Sequence, residues 1–226
     1  RKENLFFETG LTVRNTSTEF LDQEFLDDKL RILYLKADYD RYNGWGGSNT
    51  YTGTISKGVN ILDSTNTGIG NPSRIEGRSD FYKMTAQATH SQDFLKIFKL
   101  FTSASGQYSA HPLLSSEEFG YGGMEFGRAY DPSEITGDRG LSYSAELQYA
   151  DLDVIESVSL RLVPLVFYDI GQVWNEDTGG QSFSAASAGF GTYYNWDNMV
   201  TGSLQIAWPL TKPVSTPIMN GENGPR

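Results

Sequence analysis

The clearest structural signal in the chain is the stretch Leu141-Ser142-Tyr143-Ser144-Ala145-Glu146-Leu147-Gln148-Tyr149. Apolar and polar residues alternate along it without interruption, which is the period-two pattern of a strand with one apolar and one hydrated face. The hydrated face carries the charged Glu146, so it is expected to line a wet interior rather than a dry core. The stretch therefore predicts an antiparallel sheet with lipid on one face and water on the other.

The same alternation recurs along the chain, for example over 33–40 and 200–208. It predicts about nine strands of membrane-spanning length, over 4–14, 29–42, 48–61, 79–92, 95–109, 139–150, 157–173, 183–194 and 199–209. The predicted fold class is all-β, a transmembrane antiparallel β-barrel. Single-chain bacterial barrels usually have even strand numbers, so the odd count and the loop-like residues 213–226 predict an incomplete barrel that lacks its last strand.

Connections between the predicted strands alternate in length. Short ones fall at 43–47, 93–94, 150–156 and 195–198, and long ones at 15–28, 62–78, 110–138 and 174–182. Outer-membrane barrels have short periplasmic turns and long outer loops, and this asymmetry favours a membrane barrel over a soluble sandwich. Aromatic residues near the strand ends are candidates for the interfacial girdles, with ordinary core packing equally possible for each: Tyr42, Trp45, Trp174, Trp196 and Trp208.

Composition narrows the function classes. The formal net charge is -10, with 18 basic against 28 acidic residues, which argues against a nucleic-acid partner. The absence of cysteine excludes disulfides and thiolate sites. No apolar run reaches the roughly 18 residues of a spanning helix, so a membrane assignment requires a barrel. The first ten residues contain no signal-peptide pattern and no initiating Met, so we expect the chain to begin inside something longer.

Candidate catalytic and ligand-binding patterns are weak. The two histidines, His90 and His111, are expected to be ordinary strand-end or loop residues, and no Gly-x-Ser-x-Gly elbow is present. The glycine runs at 44–47 and 120–123 are not followed by a helical pattern that could bind phosphate. Acidic residues over 22–28 do not have EF-hand spacing and predict a solvated outer loop. We therefore predict no enzyme activity, no catalytic residue, no cofactor and no metal.

A second informative stretch, residues 117–140, occupies the longest predicted loop and leads into the strand described first. It reads EEFGYGGMEFGRAYDPSEITGDRG, in which the glycines and Asp131-Pro132 permit sharp turns. In the middle of the stretch, Arg128 stands among aromatic residues and carboxylates. Two further sequence blocks follow this stretch, FYDIGQVW at 167–174 and PLTKP at 209–213. A third block, which begins GWGG, precedes it at 44–62.

These blocks, in this order, resemble the two-partner secretion transporters of the hemolysin-activator and filamentous-hemagglutinin-exporter family, within the superfamily of outer-membrane assembly and translocation barrels. The resemblance extends along the whole chain. It implies a sixteen-stranded barrel preceded by periplasmic polypeptide-transport-associated domains. Residues 1–226 would then be one partial transmembrane barrel domain, carrying the seventh to fifteenth strands.

The resemblance also implies a functional site. In the family the long sixth outer loop folds back into the lumen, and its tip arginine pairs with an aspartate on the thirteenth strand. By position these residues are Arg128 and Asp169. A guanidinium offers a planar fork of donors to a carboxylate, so such a pair can fix a loop in one orientation. The loop and strand motif residues carried over are Gly122, Gly123, Phe126, Gly127, Tyr130, Asp131, Pro132, Gly137, Asp138, Gly140, Glu146 and Gly171.

Two local features refine this expectation. The superfamily tip usually has glycine after the arginine, whereas this chain has Ala129, which tolerates a positive φ poorly. The tip geometry is therefore expected to differ slightly if the family glycine has such a conformation. Gly171, with Gly189 and Gly191 nearby, is expected to leave inward space for the loop tip.

The implied function is passive translocation of a large secreted polypeptide from periplasm to cell surface in the Gram-negative outer membrane. The expected partners are that polypeptide and the lipid bilayer, with a monomeric barrel. Two alternatives remain open from the sequence, namely a barrel that inserts other outer-membrane proteins and a soluble all-β surface binding domain. The Asp-Pro-Ser-Glu and Thr-Gly-Asp-Arg-Gly extension after Arg128 favours secretion.

Overall fold

A computed structural model describes residues 3–21, 23–44, 46–149, 152–155, 159–177, 179–197 and 199–211. Its regular elements over those residues are β1 (Glu3–Phe20), β2 (Gln23–Tyr42), β3 (Gly47–Gly58), β4 (Tyr82–Phe94), β5 (Phe98–Ser109), the 3-10 helix η1 (Ser115–Glu117), β6 (Phe119–Tyr121), β7 (Ile135–Gly137), β8 (Arg139–Tyr149), β9 (Leu152–Ile155), β10 (Leu160–Trp174), β11 (Ser182–Trp196) and β12 (Val200–Pro209). In the described part of the chain, no helix is long and apolar enough to span a membrane.

Nine long strands form one antiparallel sheet in the order β1-β2-β3-β4-β5-β8-β10-β11-β12, with the short β9 paired to the start of β10. Neighbours in the sheet follow each other along the chain, apart from the inserted pair β6-β7, which forms a separate two-stranded sheet. The predicted fold class is confirmed. Each of the nine predicted strands corresponds to one long strand of the sheet.

The two faces of the sheet have opposite chemistry. On β8, Leu141 and Tyr143 are exposed whereas Ser142, Ser144 and Glu146 are buried. In the middle of β10, Val166, Tyr168 and Ile170 are exposed whereas Asp169 is buried. A sheet that exposes apolar side chains and covers polar ones is the inverse of a soluble domain and fits lipid outside and a hydrated lumen inside. The buried polar face is called the inner face below.

One predicted connection is wrong. Residues 15–20 and 23–28 are strand rather than loop, because β1 and β2 continue as a paired ribbon up to Phe20 opposite Gln23, whereas β3 pairs with β2 only from Ile32 onward. The acidic residues at 27 and 28 lie in this ribbon. Asp28 is buried and accepts a hydrogen bond from the backbone N–H of Ser73 at 3.0 Å. A ribbon outside the lipid does not need an apolar face, so its residues are mostly polar and its sequence resembles that of a loop.

The other connections follow the predicted asymmetry where the structure describes them. Short turns join β2 to β3, β4 to β5 and β11 to β12, and long connections occupy 59–81, 110–138 and 175–181. In an antiparallel meander alternate connections lie at the same end of the sheet, so the three long ones share one end. Of the candidate girdle residues, Trp45 lies outside the described residues. Trp208 packs against Phe190 with ring centroids 5.7 Å apart, and the girdle assignment stays a prediction.

Candidate functional site

Strand register brings five polar residues of four strands to one place on the inner face. Asp169 of β10 is paired with Ser144 of β8 on one side and with Ser187 of β11 on the other. Glu146 stands two residues along β8, opposite Phe167, and Gln205 of β12 lies opposite Gly191. Period-two alternation points all of these side chains inward. The arginine that they surround comes from the 110–138 connection, which folds back over this face.

Arg128 and Asp169 are in direct contact. The guanidinium donates from Nε to Oδ2 at 3.2 Å and from Nη2 to Oδ1 at 3.1 Å, and the backbone N–H of Arg128 donates to Oδ2 at 3.0 Å. Asp169 is fully buried and also accepts hydrogen bonds from the hydroxyls of Ser144, at 2.7 Å, and Ser187, at 3.3 Å. This carboxylate therefore has five donors, three of them from one residue.

A second carboxylate shares the guanidinium. Nη1 of Arg128 donates to Oε2 of Glu146, and Nη2 donates to the Ser144 hydroxyl at 3.0 Å. The guanidinium carbon lies 3.6 Å from the centre of the Phe167 ring, which adds a cation–π contact to the ion pairs. Glu146 is held in turn by the hydroxyl of Tyr193 at 3.1 Å. The cluster of one cation and two carboxylates is called the Arg128 network below.

Sequence reasoning identified Glu146 as a motif residue and an inner-face residue but not as a second partner of Arg128. It gave Phe167 only as part of the 167–174 block, with no role, and did not single out Ser187 or Tyr193. Part of the signal was present, because Phe167 has the same inward parity as Asp169 on β10, and Ser187 and Tyr193 share one parity on β11. What could not be read was the strand register, on which every one of these contacts depends.

The loop tip adopts a positive φ at Gly127, two residues before the position expected from the family glycine. Gly127 has φ +87°, whereas Ala129 is not among the non-glycine residues with positive φ. A Cβ at Gly127 would come within 2.8 Å of the Tyr121 ring. Because Ala129 does not have a positive φ, alanine in place of the family glycine causes no backbone strain here.

Tyr130 and Tyr121 anchor the tip on its apolar side. The Tyr130 hydroxyl donates to the carbonyl oxygen of Ala186 on β11 at 3.0 Å. Tyr121 is completely buried over Gly171, where a Cβ would come within 2.1 Å of its ring. Gly171 therefore makes room for the connection, as expected. Gly189 and Gly191 instead lie against Phe167 and Gln205, which belong to the sheet itself.

Comparison with known proteins identifies the family. Residues 1–193 match the family model described as "Haemolysin secretion/activation protein ShlB/FhaC/HecB". The chain belongs to this family. It is 27% identical over 213 residues to "Outer membrane transporter CdiB" of Dickeya dadantii, covering 90% of this chain and 36% of that protein. Its fold matches the structure "CdiB from Escherichia coli" with a TM-score of 0.78 and 20% identity, over 94% of this chain and 39% of that one.

Members of the haemolysin secretion/activation family are secretion transporters rather than enzymes. The predicted family and the predicted Gram-negative outer-membrane location are confirmed. The alternatives of an assembly barrel and a soluble binding domain are not favoured. The chain spans between a third and two fifths of the length of the two relatives that it matches. In an outer-membrane barrel the long connections face outward, so their shared end is called the outer end below.

The remaining motif residues shape the family connection rather than contact Arg128. Gly122 and Gly123 have φ of +123° and +102°, and a Cβ at Gly122 would come within 2.1 Å of the Asp131 carbonyl oxygen. The turn at Asp131-Pro132 is closed by a hydrogen bond from the Glu134 N–H to the Asp131 carbonyl at 3.1 Å. Two further glycines allow close packing, because a Cβ at Gly137 would meet the Trp174 backbone and one at Gly140 the Phe119 ring. Phe126 packs against the buried apolar side chains around Tyr121 and Tyr130.

Asp138 joins the three long connections of this family member at the outer end. Its fully buried carboxylate accepts from the backbone N–H of Leu113 at 2.6 Å, from that of Glu176 at 2.7 Å and from Arg74 Nη1 at 2.6 Å. Burial lowers the pKa of Arg74, but its acidic partners outweigh that effect and the net pKa is raised. Burial also raises the pKa of neighbouring Glu118, opposed by Arg74 at 3.2 Å.

Proposed function

We propose that this chain forms part of the wall of an outer-membrane pore that carries a secreted polypeptide from the periplasm to the cell surface. The observation that carries the proposal is the Arg128 network, which holds the 110–138 connection against the inner face of a lipid-exposed sheet in a member of a secretion family. A connection held inside a lumen controls what can pass through it. One curated relative is itself named an outer membrane transporter.

The inner face is suited to an unfolded polypeptide. Its polar side chains in and around the Arg128 network are Ser142, Ser144, Glu146, Gln148 and Gln205. These side chains can form direct or water-mediated hydrogen bonds with a passing polypeptide whatever its sequence. No nucleotide motif is visible in the sequence, so the transport is proposed to be passive. The partners are the secreted polypeptide and the bilayer, and the barrel acts as a monomer.

Arg128 and Asp169 are proposed to anchor the loop. A bidentate pair supplemented by a backbone N–H fixes both the position and the orientation of the tip. Because both side chains are covered, removing one partner would leave an unpaired buried charge, which is costly. Water elsewhere in the lumen lowers that cost if the loop moves away as a whole. The anchor is therefore stable at rest and releasable during transport.

Gene deletion and complementation test the proposal. The readout is the polypeptide encoded beside the transporter gene, tagged and assayed in the culture medium with a cytoplasmic marker as a lysis control. We expect the polypeptide in the medium only when the transporter is present. Equal release without the transporter would contradict secretion, and loss of unrelated outer-membrane barrels on deletion would indicate an assembly role instead.

A further inference from the structure

A buried carboxylate outside the Arg128 network connects distant parts of the sheet. Glu117 ends η1 and its side chain is only 7% exposed. Its Oε1 lies 2.7 Å from Nη1 of Arg14 on β1, and its Oε2 lies 2.6 Å from Nζ of Lys83 on β4. One carboxylate thus pairs with two cations through its two oxygens.

The two cations come from strands that are not neighbours in the sheet. Strands β1 and β4 are separated by β2 and β3, which corresponds to about 14 Å along the sheet at the usual strand spacing. Glu117 therefore links two strands that do not pair with each other. Lys83 is the second residue of β4, directly after the 59–81 connection, which places the bridge at the outer end.

Backbone contacts hold the same point from three strands. Arg14 Nη1 donates to the Ser116 carbonyl at 3.3 Å, and Lys83 Nζ donates to the Glu117 carbonyl at 3.1 Å. The side-chain amide of Gln107 on β5 donates to the Glu117 carbonyl at 2.9 Å and to the Asp138 carbonyl at 3.2 Å. Both the entry and the exit of the 110–138 connection are therefore fastened at the outer end, independently of its tip.

We propose that Glu117 is a positioning residue that holds the entry of this connection across the outer mouth of the lumen, and that its ion pairs open to let a polypeptide out. This inference rests on the proposed secretion function. Arg14 is already 42% exposed, so its pair with Glu117 can be replaced by water with little loss. The Lys83 pair is more covered, with side chains 11% and 7% exposed, and the Arg128 network is covered most deeply, at 7% or less in both ion pairs. The Arg14 pair is accordingly the first to open and the Lys83 pair follows it, while the tip stays anchored.

The test is ion conductance of the full natural chain reconstituted in planar lipid bilayers with potassium chloride as the probe. Glu117→Gln keeps the shape of the side chain and removes its charge. We expect the open fraction to rise at least about fivefold, a change of roughly 1 kcal/mol in the closed state. Lys83→Gln should act in the same direction, Lys83→Arg should stay near wild type, and the double variant Glu117→Gln/Lys83→Gln should be no more open than Glu117→Gln alone.

Glu125→Gln is the matched control, because Glu125 lies in the same connection, is exposed, and contacts Gln87 rather than a cation. It should leave the open fraction unchanged. An open fraction of Glu117→Gln equal to that of wild type would overturn the inference. So would a fall in both conductance and folded protein, measured by heat-dependent electrophoretic mobility, since that indicates a merely structural residue. Wild-type protein that secretes nothing would instead count against the proposed function.

Discussion

Arg128 binds Asp169 through its main chain and its side chain at once, since the backbone N–H and the guanidinium Nε donate to the same carboxylate oxygen, Oδ2. An ion pair made by a side chain alone leaves the backbone free to move by the length of that side chain. Here the backbone atom is itself held within 3.0 Å of strand β10. The loop tip is therefore fixed to the sheet, and its position depends on the charge and the shape of both residues.

The planar fork of Arg128 is predicted to be essential, not only its charge. Arg128→Lys keeps the charge but can neither pair bidentately with Asp169 nor lie flat on Phe167. We expect secretion to fall on the order of tenfold, equivalent to about 1.4 kcal/mol. Secreted polypeptide in the medium is the readout, with heat-dependent mobility of the barrel as the folding control. Wild-type secretion by the lysine variant would show that charge alone suffices.

The two carboxylates are predicted to differ in importance. Asp169 is fully buried with five donors, whereas Glu146 receives one contact from Arg128 and is also paired with Gln148 and Tyr193. Asp169→Asn should therefore lower secretion by about tenfold or more, and Glu146→Gln by no more than about threefold, or under ~1 kcal/mol. Quantitative immunoblots of culture medium compare them. The reverse order of effects would place the anchor on Glu146.

Gly171 is predicted to be required for its lack of a side chain. In Gly171→Ala the new Cβ would meet the buried Tyr121 ring at 2.1 Å, and such overpacking costs about 1–3 kcal/mol. The temperature at which the barrel loses its compact electrophoretic form should fall. Gly53→Ala on β3 is the control, because no atom lies within 4 Å of a Cβ there. Equal behaviour of the two variants would argue against close packing of Tyr121 on β10.

Tyr130 is predicted to contribute a modest hydrogen bond. Tyr130→Phe removes the bond to the Ala186 carbonyl, which also accepts from the Leu210 N–H and so stays paired. The cost should be about 1 kcal/mol or less. Urea denaturation of the protein in detergent measures it. A loss of several kcal/mol in the free energy of unfolding would mean that the hydroxyl stabilises the connection through more than this one hydrogen bond.

The part of the fold inside the lipid bilayer could be predicted from the sequence better than the part beyond it. Within the bilayer, alternation is imposed by lipid on one side and water on the other, so strands such as 139–150 could be recognised. The ribbon over residues 15–20 and 23–28 extends beyond that boundary, where β1 and β2 pair only with each other, and its polar residues led to the prediction of a loop. Ends of strands were uncertain for the same reason.

Some residues of the candidate site could likewise be predicted from the sequence and others could not. Arg128 and Asp169 were found because the resemblance gave both positions, and the structure places them in contact. Arg74, Arg14 and Lys83 could not be singled out, because each meets its carboxylate across tens of residues with no periodic signal. Contacts between long connections depend on the folded positions of several chain segments together. Their existence follows from tertiary structure alone.

Arg128 and Asp169 are proposed to act through one contact that secretion requires. A double-mutant cycle with Arg128→Ala, Asp169→Ala and the double variant tests it, scored by secreted polypeptide per folded barrel. Each single variant is predicted to lose secretion on the order of tenfold, and the double variant to be no worse than either, a coupling of about 1.4 kcal/mol. Additive losses would contradict a shared contact, and normal secretion by both single variants would contradict the account itself.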